Sequence, residues 1–168
     1  MNIKVLDWLT QVRSVMPEDL GRVLELGSLN VNGTARDVLK SSVYIGIDLQ
    51  QGKDVDIQMN AHDILKNFGV AYFDVVVNMN MLEHDDRFWD TMNQVNQVLK
   101  VGGFQVFCVP TFDFPIHRYP KDYWRFGEDA VREVIFNGYE IVAYKEVFTK
   151  ERDGKPINPL LCVVGKKL

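Results

Sequence analysis

The feature that most constrains this chain is an alternation of short apolar runs with amphipathic stretches. The runs are Val23-Leu24-Glu25-Leu26, Val43-Tyr44-Ile45-Gly46-Ile47, Val55 to Met59, Phe73-Asp74-Val75-Val76-Val77-Asn78 and Phe104-Gln105-Val106-Phe107-Cys108-Val109. Each has the length of a strand buried on both faces. Between them the apolar spacing turns helical. Val5, Leu9, Val12 and Met16 form a stripe that stops before Pro17, and Thr34 to Lys40 reads as a helix. Asp85 or Asp86 is placed to cap a helix with the apolar face Phe88, Met92, Val95 and Leu99, closed by Gly102-Gly103. Glu128 to Asn137 is a helix closed by Gly138. Strands alternating with helices require right-handed crossovers and hence a parallel sheet. Tyr139 to Phe148 and Leu160 to Lys166 break the pattern, because the turn signal Asp153-Gly154-Lys155-Pro156 joins them without a helix. They form a hairpin, so the last strand is antiparallel. The expected fold is α/β, a doubly wound seven-stranded, mostly parallel sheet with helices on both faces.

The 168 residues suit one domain: an N-terminal helix over 1–17, then the sheet over 20–168. A net charge of −4 argues against a dedicated nucleic-acid binder, which needs a dense basic face. The longest late apolar run, Leu160 to Val164, is far short of the about 20 residues that cross a membrane, so no membrane insertion is expected. Met1 to Trp8 carries an acid inside its apolar stretch and no small-residue cleavage site, unlike a signal peptide. Cys108 and Cys162 belong to no C-x-x-C pair and fall in predicted buried strands, which points to core packing in a reducing, cytoplasmic setting.

In open α/β sheets ligands bind beyond the carboxyl ends of the strands. Gly27 lets the chain turn sharply out of the first strand, with Glu25 two residues earlier in an otherwise apolar run. Glu25 either bonds the loop and steadies the turn or lines a site for a cation. Asp48 ends the second strand, 21 residues past Gly27, a distance suited to an acid that accepts both hydroxyls of an adenosine ribose. A dinucleotide would need G-x-G-x-x-G; here Ser28-Leu29-Asn30-Val31-Asn32-Gly33 follows Gly27, and Leu29 replaces the second glycine. A carboxylate nearby repels a pyrophosphate and suits the ammonium and sulfonium of S-adenosylmethionine.

Glu25-x-Gly27, Asp48, Ala61-His62-Asp63, Phe73 to Val77 followed by Leu82-Glu83-His84, and Leu99-Lys100-Val101-Gly102-Gly103-Phe104 together resemble the class I S-adenosylmethionine-dependent methyltransferases. The closest type is the small-molecule group similar to the ubiquinone- and menaquinone-pathway enzymes. The resemblance runs from about residue 20 to the C-terminus and implies a Rossmann-like sheet with an antiparallel last strand. It implies that Glu25, Gly27 and Ser28 line the methionine part of the cofactor, that Asp48 binds the ribose and that Leu49 touches the adenine. Asp63 accepts from the adenine amino group with His62 beside it, and Asn78 and Met79 flank the methionine moiety. The chain departs from the family at Leu29 and Val31, where many members carry further glycines.

Pro110 to Phe126 holds six of the 19 aromatic residues and three of the six prolines. The stretch either plugs the top of the core or forms a lid and acceptor pocket, with His117, Tyr119, Asp122, Tyr123 and Arg125 as polar contacts and Trp124 and Phe126 packed inward. His117, then His84, is the candidate general base. Glu83-His84-Asp85-Asp86 is not read as a metal site, since adjacent residues cannot all point one way. The expected reaction is methyl transfer to a small-molecule acceptor by direct displacement, leaving S-adenosylhomocysteine. The place after the fourth strand reads Asn78-Met79-Asn80-Met81 rather than Asn/Asp-Pro-Pro-aromatic, which disfavours DNA bases. The rival readings are a non-catalytic methyltransferase-like partner subunit and a nicotinamide-dependent oxidoreductase. With so little chain outside the sheet, acceptor recognition falls to 110–126, the N-terminal helix, or a second subunit of a homodimer or partner complex.

Overall fold

The computed structural model describes residues 2–119 and 121–168; Pro120, one of the prolines expected to stiffen 110–126, lies outside the described residues. The strands are β1 (Arg22–Leu26), β2 (Val43–Asp48), β3 (Ile57–Gln58), β4 (Phe73–Met79), β5 (Leu99–Pro110), β6 (Tyr139–Arg152) and β7 (Lys155–Lys167). The α-helices are α1 (Ile3–Val12), α2 (Ile64–Phe68) and α3 (Phe88–Val98). The seven strands form one sheet in the order β3-β2-β1-β4-β5-β7-β6. β7 is antiparallel to both its neighbours, β5 and β6, and the other neighbouring pairs are parallel. The doubly wound, mostly parallel sheet with an antiparallel last strand is therefore the fold of the chain.

Alternation along the central strands divides the core between the two faces. Leu24, Leu26, Val76 and Phe107 point to one side, where Ile64, Met92, Val95 and Ile135 cover them. Val23, Val75, Val77 and Val106 point to the other, where Val5, Trp8 and Leu9 of α1 close the layer. Asn2 starts α1 by accepting from the Lys4 N–H at 2.9 Å. Cys108 and Cys162 sit directly opposite each other on β5 and β7, buried and unbridged in the α1-side core.

Several elements depart from their sequence patterns, each for a local reason. Thr34 to Lys40 yields only a 3-10 turn, Ala35–Asp37, capped by Thr34. A stretch of one or two turns gains too few bonds to offset the cost of helix nucleation. α3 starts after Arg87 rather than on a capping acid; Asp85 instead accepts from the Arg87 N–H at 2.9 Å in the turn before it. α3 stops at Val98, and Gly102-Gly103 lies inside β5. Leu99 already pairs with Phe73, and the register then slips so that Phe104 pairs with Val75. Gly103 serves that bulge, because a Cβ there would stand 2.8 Å from the Asp74 carbonyl oxygen. The helix expected over Glu128 to Asn137 is a wide π-helical turn, Ala130–Ile135, in which the Phe136 N–H reaches back to the Val131 carbonyl. The third strand shrinks to two residues. The last hairpin is longer than expected and turns at Asp153 and Gly154, both with positive φ, as a two-residue hairpin loop requires.

Gly165 of β7 lies under the Phe136 ring, and a Cβ added there would be 2.5 Å from it. Gly165→Ala is expected to destabilise the fold by about 1–3 kcal/mol through overpacking, read as a lower urea midpoint at unchanged slope.

Candidate active site

The crossover from β1 leads to β2 and that from β4 to β5 on its other side, so the loops leaving β1 and β4 diverge at the carboxyl edge. A cavity of about 500 Å³ opens there. Gly27 enters its wall from β1, Asp48 and Leu49 from the end of β2, and Met59, Ala61 and His62 from the segment after β3. Met79, Asn80, Met81 and His84 come from the end of β4, and Tyr119, Lys121 and Tyr123 from the long connection after β5.

Gly27 is required by geometry. Its φ is +70°, and a Cβ would meet the Met81 side chain at 2.9 Å. Leu29, where a glycine would favour a dinucleotide, lies in the cavity wall, and its backbone N–H donates to Asp48 Oδ2 at 3.2 Å. The Asp48 carboxylate also accepts from the Gln50 N–H at 2.9 Å, which fixes its orientation at the rim. Asn80 adopts a left-handed backbone (φ 57°), where asparagine is tolerated, and its N–H bonds the Cys108 carbonyl at 2.8 Å.

Four of the residues that the resemblance assigns to the cofactor stand outside the cavity lining. Glu25 is buried behind it, accepting from Tyr44 Oη at 2.7 Å and from the backbone of Ala35. It thus fastens the loop after β1 to β2. Loss of water pushes its carboxyl up to about 7, against the opposing pull of the Tyr44 bond and Arg36. Ser28 is buried below the loop, and Asn78 is fully buried with both amide atoms unpartnered. Asp63 faces solvent in the 3-10 turn Ala61–Asp63. His62 does line the cavity, with Nε2 3.0 Å from Asp85 Oδ1 and Nδ1 2.8 Å from an Arg87 nitrogen. Asp85 also accepts from Thr91 Oγ1 at 2.5 Å and so ties α3 to the cavity floor.

The described residues of 111–127 form no helix or strand, yet the segment is bound down. The Tyr123 N–H donates to the Glu83 carbonyl at 2.8 Å, Trp124 Nε1 to the Asp85 carbonyl at 2.7 Å, and the Phe126 N–H to the Pro110 carbonyl at 3.0 Å. Phe126 is buried and Trp124 packs edge-on against Phe88. Tyr119 and Tyr123 reach the cavity, whereas Asp122 and Arg125 turn to each other and hold the segment's shape. The Arg125 guanidinium lowers the Asp122 carboxyl to about 2, helped by the backbone N–H of His117. The same fold carries His117 to Glu83, Nε2 to Oε1 3.4 Å, and the bond to that carboxylate raises the imidazole pKa. His84 Nε2 stands 3.8 Å from the same Glu83 oxygen. Glu83 is fully buried. Within the sequence cluster 83–86 only Glu83 and His84 turn this way; His117, 33 residues on, completes the group, and only the fold brings it there.

Residues 22–107 match the family model described as a methyltransferase domain. The chain belongs to that family. No curated protein matches it in sequence. Among solved structures it resembles the 1,6-didemethyltoxoflavin-N1-methyltransferase of Burkholderia thailandensis, solved with 1,6-didemethyltoxoflavin and S-adenosylhomocysteine. That match has 14% identity and a TM-score of 0.73, covering 98% of this chain and 79% of that one. It also resembles a SAM-dependent methyltransferase from Archaeoglobus fulgidus, at 16% identity and TM-score 0.69, covering 96% and 94%. A third likeness is to a chain from the complex of the Haloferax volcanii Trm112 methyltransferase activator with a methyltransferase, at 17% identity and TM-score 0.65, covering 95% and 88%. The family is that of the methyltransferase domain, and the fold is the one these S-adenosylmethionine-dependent methyltransferases share. The nicotinamide alternative falls away with this assignment. Among the described residues no helix is long and apolar enough to cross a membrane.

A methyltransferase that keeps Glu25 buried has a pH signature. The folded-state pKa lies above the ordinary carboxyl value, so the stabilising contribution is full at low pH and is lost as pH rises through about 7. Between pH 5 and 8 the wild type is expected to lose of order 3 kcal/mol relative to Glu25→Gln, measured by urea unfolding at each pH. A difference that stays flat with pH contradicts the assignment.

Proposed function

We propose that this methyltransferase transfers the methyl group of S-adenosylmethionine to a small-molecule acceptor and releases S-adenosylhomocysteine. The observation that carries the reading is the convergence of Gly27, Asp48 and Met79 on one cavity at the diverging crossovers of β1 and β4. The residues present fit the cofactor. Gly27 leaves the backbone bare where an added Cβ would strike Met81, Asp48 offers an oriented carboxylate for ribose hydroxyls, and Leu49, Met59 and Ala61 offer apolar surface for an adenine. S-adenosylmethionine, when bound, supplies a methyl group on a sulfonium whose thioether leaves readily.

The chain's own part is to bind, align and exclude water. Glu25 and Ser28 act from behind the wall, through the loop they support. Asn78 presents unpartnered amide atoms at the base of the methionine side, next to Met79. His62, held by Asp85, braces the adenine side, and Asp63 lies beyond it at the surface. On the acceptor side 110–126 acts as the lid, with Tyr119 and Tyr123 facing the acceptor and Asp122 and Arg125 bracing them. His117 and His84, gathered on Glu83, receive the acceptor's nucleophilic atom. The likeness to a structure holding 1,6-didemethyltoxoflavin supports an acceptor of small-molecule size.

Calorimetry with S-adenosylhomocysteine tests the reading. One site per chain is expected, and Asp48→Ala is expected to weaken it by about 1.5–3 kcal/mol, tenfold or more, as befits lost charge-assisted hydrogen bonds. Unchanged affinity removes the ribose role of Asp48. No binding of S-adenosylmethionine or S-adenosylhomocysteine to the wild type overturns the reading.

A further inference from the structure

Glu83, His84 and His117 bring three side chains of metal-ligating chemistry together. Their ligating atoms all lie within 4.8 Å of one another. His84 Nδ1 faces the Lys121 carbonyl. His117 Nδ1 faces Asp122 Oδ2 at 3.2 Å and the Pro115 carbonyl at 3.4 Å. Carbonyl and carboxylate oxygens only accept, so both Nδ1 atoms donate, and each ring is left with Nε2 as its ligating atom, directed at Glu83. The carboxylate they meet is itself an acceptor, fully buried, and its Oε2 has no partner. Three ligating atoms thus converge beside a carboxylate that is fully buried and short of a partner, where a positive charge is stabilised.

We infer that Glu83, His84 and His117 form a binding site for a divalent transition-metal cation, with zinc the best fit. Two imidazoles and one carboxylate suit zinc better than magnesium or calcium, which take all-oxygen shells. Donors on a tetrahedral zinc stand about 3.3–3.5 Å apart, given bonds of about 2.0–2.2 Å. The Nε2 to Oε1 separations of 3.4 and 3.8 Å are close to that spacing, and all three ligating atoms lie within 4.8 Å of one another. The Nδ1 partners are those that metal-ligating histidines use to fix ring orientation. Three protein ligands leave a fourth position open. His84 also lines the cofactor cavity, so the cluster adjoins it. On the proposed function, an acceptor offering a hydroxyl or carboxylate oxygen takes the open position; the cation lowers a bound hydroxyl's pKa, and its proton leaves to water.

The test is zinc titration of untagged, chelator-stripped full-length protein by calorimetry, with thermal melting alongside. One Zn²⁺ per chain is expected, with micromolar or tighter affinity and a melting temperature that rises with zinc. Neither Mg²⁺ nor Ca²⁺ should reproduce it. His117→Ala, whose ring is partly exposed and whose loss leaves the core intact, is expected to weaken zinc by at least about a hundredfold. His84→Ala should do the same, while His62→Ala keeps wild-type zinc affinity. No stoichiometric zinc, or zinc bound equally by His117→Ala and His84→Ala, overturns the site. Binding of S-adenosylhomocysteine is measured on the same samples. Zinc without the nucleoside leaves the cation site standing and defeats the proposed function, and the reverse result defeats only the cation site.

Discussion

Because β1 feeds its crossover to one flank of the sheet and β4 feeds the other, the chain has no continuous backbone to cover the carboxyl edge between them. That gap is the constraint on which the site depends. Two parallel strands buried on both faces must end there, and their last side chains must serve either the core or the opening. Leu26 and Val77 serve the core, while Gly27 and Met79 meet the opening. Asp48 reaches the same opening because β2 lies alongside β1 with Leu26 paired to Ile47.

The second constraint is how an irregular segment is held still without helix or strand. Among the described residues of 111–127, the Tyr123 and Phe126 N–H groups and the Trp124 indole N–H borrow acceptors from elements already fixed: the Glu83, Pro110 and Asp85 carbonyls. Two of these three acceptors belong to the loop after β4, which also supplies the cavity floor. The segment over the cavity and the floor beneath it are therefore one hydrogen-bonded unit. A change in one is felt by the other, which suits a site that must align two reactants. The Asp122–Arg125 pair works within this unit, setting the curve that brings His117 to Glu83.

The sheet was legible in the sequence because its strands are fully buried and announce themselves as apolar runs, and because Asp153-Gly154 has the composition of a tight hairpin. What resisted was whatever depends on register or on short elements. The Phe73–Val75 bulge hides in the glycines that resemble a helix stop. The turn at Ala35–Asp37 has a helical pattern too short to propagate. At the site, Gly27, Asp48, Leu49, His62 and Met79 were legible because a strand end fixes where its next residue goes. Glu25, Ser28, Asp63 and Asn78 stand outside the cavity lining: side-chain direction alternates along β1 and β4, Ser28 is buried below the loop, and Asp63 ends a turn at the surface. Asp122 and Arg125 look like substrate contacts in a linear reading, and only the folded loop pairs them. The meeting of His117 with Glu83 across 34 residues lies beyond any local pattern.

The chain has three histidines, and the fold gathers all of them at one end of the sheet: His62 on the nucleoside side, His84 in the cavity wall and His117 against Glu83. Remote imidazoles elsewhere in the molecule are therefore absent from the protein's histidine signals. The aromatic proton resonances of the histidines are resonances of the site alone, already resolved from the other residue types by their chemistry. The protein thus carries a built-in set of spectroscopic reporters at that end of the sheet that requires no label and no substitution to be read.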